Sequence, residues 1–290
     1  MRNDVSVIIP AYNVEDYIAE AIDSVLDQSF HAYEIIVIND GSTDNTASFL
    51  SKFEKKITVI HQDNAGASAA KNRGAKEASG NILAFLDADD MWMPKKLQAQ
   101  IEKLEHFDVV YSNRLNIGVI GDLPEIQSDV QDMFEGDVWE HLIMANFITL
   151  SSVIVKKILF DKIGCFNEKI RYCEDWDFLL RCLENNQIGY CSDPLVKYRF
   201  RAGSLSKNHL YMQKMRELVI TRALQSQRGQ CLSAQKRRNA LASSWSCSAW
   251  ESARVKDYIR AFQCYGRALS ITPLNGSLWY DVARVLAGRV

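Results

Sequence analysis

Residues 82–92 read Ile82-Leu83-Ala84-Phe85-Leu86-Asp87-Ala88-Asp89-Asp90-Met91-Trp92. Five apolar residues stop abruptly at a cluster of carboxylates. An apolar run this short, with no polar alternation, reads as a strand buried on both faces. Such strands belong to sheets covered by helices on either side. Upstream the same pattern repeats. Ala65–Ser79 reads as a helix closed by Gly80, Ile57–His61 as a strand, and Ala47–Phe53 as a helix after the turn residues of GSTDNT. Glu34–Asp40 (EIIVIND) is a further buried strand, and Val5–Pro10 is one ended by proline. Between them Val14–Gln28 carries Tyr17, Ile18, Ala21, Ile22, Val25 and Leu26 at the spacing of an amphipathic helix. Downstream, Pro94 opens a helix to about His106, and Asp108–Ser112 is another strand. This alternation predicts an α/β fold with a mostly parallel, doubly covered sheet.

Past that point the periodicity weakens. Residues 116–137 are acidic and loop-like, and a connection this long within one domain tends to carry function. Asp137–Ala145 is expected as a helix, Ser151–Val155 as a strand, and Lys156–Ile163 as a short helix closed by Gly164. Glu174–Asn185 follows as a helix with Trp176, Leu179, Leu180 and Leu183 inward, then strands at Tyr190–Cys191 and Leu195–Phe200. Beyond Ser206 the pattern is helical only. Within Trp250–Ala287, Ala261, Tyr265, Ala268, Leu269, Ile271, Pro273 and Asn275 follow the spacing of one tetratricopeptide unit. A single unit cannot bury its own face, so it must pack on the body or on a partner.

In parallel α/β sheets, ligands bind outside the carboxyl ends of the strands. That rule selects two clusters, Asn39-Asp40-Gly41-Ser42 and Asp87-Ala88-Asp89-Asp90. Carboxylates one residue apart on a turn can converge on a hard cation that would neutralise a diphosphate leaving group; the same turn also reads as a solvated acidic cap. Asp40 reads as a buried carboxylate accepting hydrogen bonds from a base, or as a turn residue before Gly41. The segment Asp63–Ser68, followed by Lys71-Asn72-Arg73-Gly74, is small and then basic, and suits a phosphate or sugar hydroxyls, or a helix start with a basic turn. Cys173-Glu174-Asp175-Trp176-Asp177 crowds three acids. Mutual repulsion would raise a pKa and favour a general base, whereas a helix N-terminus would lower it. Tyr198-Arg199-Phe200-Arg201, leading into Gly203-Ser204-Leu205-Ser206, reads as a cationic lid over a diphosphate or as a surface loop.

Bulk composition narrows the function classes. The net charge of −2 conceals an asymmetry. Residues 1–200 hold 19 lysines and arginines against 32 acids, a net of −13, and residues 201–290 hold 15 against 4, a net of +11. A basic tail can dock on its own acidic body, on an acidic partner or on an anionic membrane, and no nucleic-acid recognition module accompanies it. Seven cysteines, odd in number, dispersed and without a C-x-x-C pair, predict reduced thiols. The apolar run before Pro10 is too short for a signal-peptide core, and no run approaches a membrane span. A cytoplasmic protein is therefore expected, peripheral at the inner membrane face if the basic helices bind lipid.

Taken in order, SVIIPAYN, IIVINDGSTDNT, NAGASAAKNRG, GNILAFLDADD and CEDWDFLLRC resemble the inverting glycosyltransferase family 2 with its GT-A fold, over about residues 4–206. The resemblance implies a GT-A domain at 1–206 and a basic helical extension at 207–290. It implies that Asp40 contacts the nucleotide base, with Pro10, Ala11 and Tyr12 walling the base pocket. Asp89 would be the metal ligand for Mn²⁺ or Mg²⁺, with Asp87 and Ala88 supporting the donor ribose or sugar. Lys71 and Arg199 would hold the diphosphate side, and Asp175 would deprotonate the acceptor hydroxyl. The donor would be a UDP-sugar and the acceptor a glycan or lipid-linked glycan, with the basic helices available for membrane association or a homo-oligomer. Two positions depart from the family pattern. Arg201 stands where a histidine is usual, and it can pair with phosphate but cannot ligate a cation. Lys71 stands where arginine is usual. The other readings are a catalytically inactive sugar-nucleotide-binding protein acting as an adaptor through its tail, and a sugar nucleotidyltransferase. The second lacks its glycine- and arginine-rich phosphate loop, because PAYNVED occupies that place.

Overall fold

The computed structural model describes residues 3–119, 124–201 and 209–287. The expected lid residues Gly203–Ser206 and the expected boundary at 206 lie outside the described residues. The chain forms two compact units: Met1–Val138 with Phe147–Ser204, and Trp139–Asn146 with Leu205–Val290.

The first unit is built on β1 (Val5–Ala11), central because its residues are nearly all buried. It pairs in parallel with β2 (Glu34–Asp40) on one side and β4 (Ile82–Phe85) on the other, and β3 (Thr58–Gln62) extends the parallel run beyond β2. Beyond β4 the sheet becomes mixed. β7 (Ile154–Lys156) is antiparallel to both β4 and β6 (Val109–Gly118). β8 (Gly189–Phe200) runs parallel to β6, and the two-residue β5 (Met91–Trp92) closes the edge antiparallel to β8. The full order is β3-β2-β1-β4-β7-β6-β8-β5. The two strands expected at 190–191 and 195–200 are one strand, which register shifts between Ser112 and Arg114 of its partner accommodate. Likewise β6 runs into the segment expected to be irregular. Its partner in the sheet, not its own periodicity, extends it.

Side chains alternate across the sheet. On one face Val5, Val7 and Ile9 join Ile18, Ile22 and Val25 of α1 (Ile18–Leu26) and Leu97 and Ile101 of α4 (Lys96–Lys103) in one buried cluster. Burying each such side chain contributes roughly 1.5–3 kcal/mol. On the other face Phe85 meets Phe166 at 5.1 Å, and Phe166 meets Phe178 at 4.6 Å, which extends the core through rings. Ile8, also on this face, receives α3 (Ala67–Glu77), whose small residues permit close approach. A Cβ at Gly74 would sit 2.4 Å from Ile8 Cγ2. This packing explains the Ala-Ser-Ala-Ala…Gly composition as a contact surface. Short α2 (Thr46–Ser51) and α6 (Lys157–Ile163) complete the layers with α7 (Glu174–Cys182).

The second unit contains α8 (His209–Gln225), α9 (Gln227–Cys231), α10 (Ala234–Arg254), α11 (Tyr258–Ile271) and α12 (Gly276–Leu286). It also takes in α5 (Trp139–Leu142), shorter than the helix expected at 137–145. Arg228 lies over the Trp139 ring at 5.3 Å, and Lys236 is ion-paired with Glu140. The tetratricopeptide-like residues Ala261 and Tyr265 pack on Ala249 and Ala253 of α10. Thus the isolated repeat finds its missing partner in the preceding helix. All seven cysteines are free thiols.

Candidate active site

The carboxyl ends of β1, β2 and β4 are adjacent, and the selected polar residues gather there. Ala11, at the end of β1, is buried, while Tyr12 beyond it is half exposed. Asn13 takes a left-handed φ of 50° and accepts from the Thr43 amide at 2.8 Å, which ties the β1 loop to the β2 loop. Asp40 is buried at the end of β2. Its Oδ1 accepts from Gln62 Nε2 at 2.7 Å and from the Ala65 amide at 2.9 Å, and its Oδ2 accepts from the Gly66 amide at 2.8 Å. A carboxylate offers about four acceptor positions, so capacity for one further donor such as a base N–H remains. Asp40 therefore fastens the loop before α3, one residue past the Asn39 that pairs with Ala11. Gly41 serves the same loop. At φ 72°, a Cβ there would lie 2.8 Å from the Asn64 amide nitrogen.

The Asp87–Asp90 turn is held from inside. Asp90 is buried, accepting from the Ser151 hydroxyl at 2.6 Å on Oδ2 and from the Arg199 amide at 2.9 Å on Oδ1. The Ser151 oxygen accepts from the Asp87 amide at 3.1 Å, and its backbone carbonyl accepts from Trp92 Nε1 at 2.8 Å. Burial, then the neighbouring Asp87 and Asp89 charges, push the Asp90 carboxyl well above the usual carboxylate range. This residue had no role assigned from sequence. In a run of three acids only the fold tells which one turns inward.

Asp87 faces Lys71 at 3.6 Å, and Lys71 Nζ donates to Glu174 Oε1 at 2.9 Å. Lys71 is buried, a circumstance that would lower its pKa, but the carboxylates of Asp87, Glu174 and Asp175 outweigh burial and hold the ammonium charged. Through this one side chain the turn after β4 and the start of α7 are joined. There Cys173 adopts φ 60° and starts the helix. The three acids that follow separate: Glu174 takes Lys71, Asp177 takes Arg181 Nε at 2.9 Å, and Asp175 stays half-buried. Burial and the Glu174 charge raise the Asp175 carboxyl, against the pull of Lys71, to about 6. The Trp176 amide, donating to Asp175 Oδ1 at 2.7 Å, also pulls the other way.

Two arginines complete the candidate site, Arg199 near the end of β8 and Arg201 just past it. Arg199 is fixed: its Nε donates to the Asp89 carbonyl at 2.9 Å, its Nη2 to Glu20 at 2.5 Å, and its guanidinium stands 5.1 Å from the Tyr17 ring centre. Arg201 brings its Nε to 2.7 Å from Asp89 Oδ2 and stands 5.5 Å from the same ring. Neither Tyr17 nor Glu20 was singled out from the sequence, because Tyr17 read as part of the apolar face of its helix and Glu20 as part of the polar one. Burial and Asp87 raise the Asp89 carboxyl, and Arg201 opposes them. Ala88 is buried between the two acids. As hard oxygen donors, Asp87 and Asp89 suit Mn²⁺ or Mg²⁺. Among the described residues, however, no three His, Cys, Asp or Glu side chains are grouped to hold a metal.

A mixed sheet with this carboxylate-lined edge defines a GT-A type nucleotide-sugar fold, followed here by a helical region. The chain belongs to glycosyl transferase family 2, whose model matches residues 6–159. It is 34% identical over 199 residues to an uncharacterized glycosyltransferase of Rickettsia bellii, covering 68% of this chain and 29% of that one. It is 45% identical over 102 residues to the putative teichuronic acid biosynthesis glycosyltransferase TuaG of Bacillus subtilis, covering 34% and 40%. The match thus spans about a third of the length of the R. bellii and R. felis relatives, 29% and 33%. Among solved structures it is similar to S. aureus TarS 1-349 in complex with UDP-GlcNAc, with a TM-score of 0.66 at 21% identity, covering 99% of this chain and 89% of that one. It is also similar to the mannosyltransferase PcManGT from Pyrobaculum calidifontis in complex with GDP-Man and Mn²⁺, with a TM-score of 0.62 at 15% identity, covering 100% and 89%.

Proposed function

We propose that this chain is an inverting glycosyltransferase that moves a sugar from a UDP-sugar to an acceptor hydroxyl. The observation that carries the reading is Lys71, which ties the donor-side Asp87 to Glu174, the neighbour of the candidate base. Asp40 with Pro10, Ala11 and Tyr12 would receive the base, and Asp87 with Ala88 the ribose or sugar. Asp175, its pKa raised, would take the acceptor hydroxyl proton as the oxygen attacks the anomeric carbon. The bond from that carbon to the diphosphate oxygen then breaks, and the nucleoside diphosphate leaves with the electron pair. One displacement inverts the configuration. Lys71 would keep Glu174 and Asp87 neutralised so that Asp175 alone changes charge. Arg199 would hold the Asp89 backbone, and Arg201 would face the diphosphate. A divalent cation, Mn²⁺ or Mg²⁺, would be held by Asp89 and would supply charge neutralisation at the leaving group.

We further propose a glycan or lipid-linked acceptor in surface polysaccharide assembly, at the cytoplasmic face of a membrane. Support comes from the TuaG likeness and from the helical unit, where Trp279, Tyr280 and Leu286 are exposed on a chain segment of net charge +11. No described helix is long and apolar enough to cross a membrane. The deciding experiment measures nucleoside diphosphate release from a panel of sugar nucleotides with Mn²⁺, Mg²⁺ or chelator. Slow release from one donor, lost in Asp89→Ala, is expected; a chain that binds no sugar nucleotide by calorimetry sinks the reading. Co-sedimentation with anionic vesicles at low salt tests the membrane half, which fails if the protein stays in the supernatant.

A further inference from the structure

Arg199, near the end of β8, and Arg201, just past that strand, share the Tyr17 ring, yet they are held differently. Arg199 makes directed hydrogen bonds to the Asp89 carbonyl and Glu20 through its side chain and to Asp90 through its amide. Arg201 meets the Asp89 carboxylate at 2.7 Å, but its Nε is buried with no aligned hydrogen-bond acceptor. The pair lacks the bond to a backbone carbonyl that anchors Arg199. Both side chains keep partial access to solvent, at 28% for Arg201 and 21% for Asp89. One arginine is a fixture; the other is poised to change partners.

We propose that Arg201 closes the Asp89 carboxylate to a divalent cation until the donor diphosphate draws the guanidinium away, so that the cation binds after the donor and because of it. The inference rests on the donor-site reading above. A carboxylate neutralised by a guanidinium attracts a dication weakly, because the incoming charge meets a fixed positive charge a few ångströms away. A diphosphate is the stronger partner for arginine, offering more negative charge and oxygens spaced for its planar fork. Once Arg201 turns to the diphosphate, the Asp89 carboxylate is left without its cationic partner and attracts the dication. Binding of the two ligands is then linked reciprocally. A histidine at this position would compete far less as a neutral ring, so the exchange is a consequence of this chain's own substitution.

Direct contact between cation and diphosphate also couples the two, so the test must be made without nucleotide. Mn²⁺ binding is measured by electron paramagnetic resonance of the free ion in wild type, Arg201→Gln, Arg201→Lys and the Arg201→Gln/Asp89→Asn double variant. Circular dichroism confirms that each is folded. With no nucleotide present, Arg201→Gln should bind Mn²⁺ about ten-fold more tightly than wild type. Arg201→Lys should stay close to wild type, and the double variant should lose the gain. Equal Mn²⁺ affinity in wild type and Arg201→Gln overturns the exchange, as does a gain that survives Asp89→Asn. Calorimetry with UDP in chelator separates the two readings. Wild type that binds UDP without any Arg201→Gln gain loses only the exchange. Wild type that binds no UDP loses both.

Discussion

The sheet unit and the helical unit solve the same problem, burying polar groups, in opposite ways. In the sheet unit none of the helices α1, α2, α3, α4 and α6 has a side-chain cap, and α7 begins from a left-handed cysteine. Their ends are placed by the strands they connect, and the polar side chains at the sheet edge are free to form Asp87–Lys71–Glu174 and Asp90–Ser151. In the helical unit Ser226, Ser233, Asp257 and Asn275 each cap a helix with their own side chain. There the buried polar residues form a seam. Arg216 of α8 pairs with Glu251 of α10 and donates to Ser248 at 3.1 Å, while Ser248 donates to Gln213. The first arrangement stores charge where chemistry can use it, and the second uses charge to fix helix pairing. Buried polar residues are thus informative only together with their partners.

The contrast can be broken most directly at Asp175. Replacing Asp175 with Asn should lower kcat by about 10³-fold with little change in melting temperature, since a general base typically contributes 10²–10⁴-fold. A fall in stability matching the fall in rate would make it a structural acid instead. Arg216→Ala should show the converse, losing about 1–3 kcal/mol as Glu251 and Ser248 lose their partner, with kcat unchanged. Urea unfolding set beside steady-state rates reads both. Gly74→Ala tests the packing of α3 on β1 and should cost about 1–3 kcal/mol, because Ile8 must move. Ser233→Ala, at the start of α10, should cost the least, about 1 kcal/mol.

The pH dependence sharpens the comparison further. As the proposed base, Asp175 would act only when ionised, and its carboxyl is raised to about 6. The kcat/KM value should therefore fall as pH drops through that point and level off above it. Lys71 stays charged throughout, because its carboxylate neighbours raise its pKa. Replacing Lys71 with Met removes the charge that opposes the rise and should move the Asp175 limb to higher pH. A profile that does not move would detach Lys71 from the base.

Much of the sheet unit was legible in its residues. The runs Val5–Pro10, Glu34–Asp40 and Ile82–Leu86 announce buried parallel strands, and their polar ends announce the site, because both signals are local. The mixed half was less legible. Strand β8 carries Asp193 and Pro194 in its middle, so propensity splits it where pairing with β6 joins it. Helix α8 lacks a clear apolar stripe because its inward face includes Gln213 and Arg216, which are satisfied only by residues of α10. Asp90 was hidden inside a string of acids for the same reason: its burial depends on Ser151, 61 positions away.

By itself the sequence determined the four parallel strands and the helices between them in the first hundred residues, though not the two-residue β5, and also where the carboxylates would gather and how charge divides along the chain. Hydrophobic periodicity and turn chemistry act over a few residues, so they can be read without knowing the fold. Tertiary structure decided which acid turns inward, which of two arginines is fixed, and which lysine joins the two halves of the site. Those choices depend on ion pairs between residues as far apart as Lys71 and Glu174, a separation of 103 positions. Coulombic and hydrogen-bond partners are set by proximity in space, and the chain reveals that proximity only after folding.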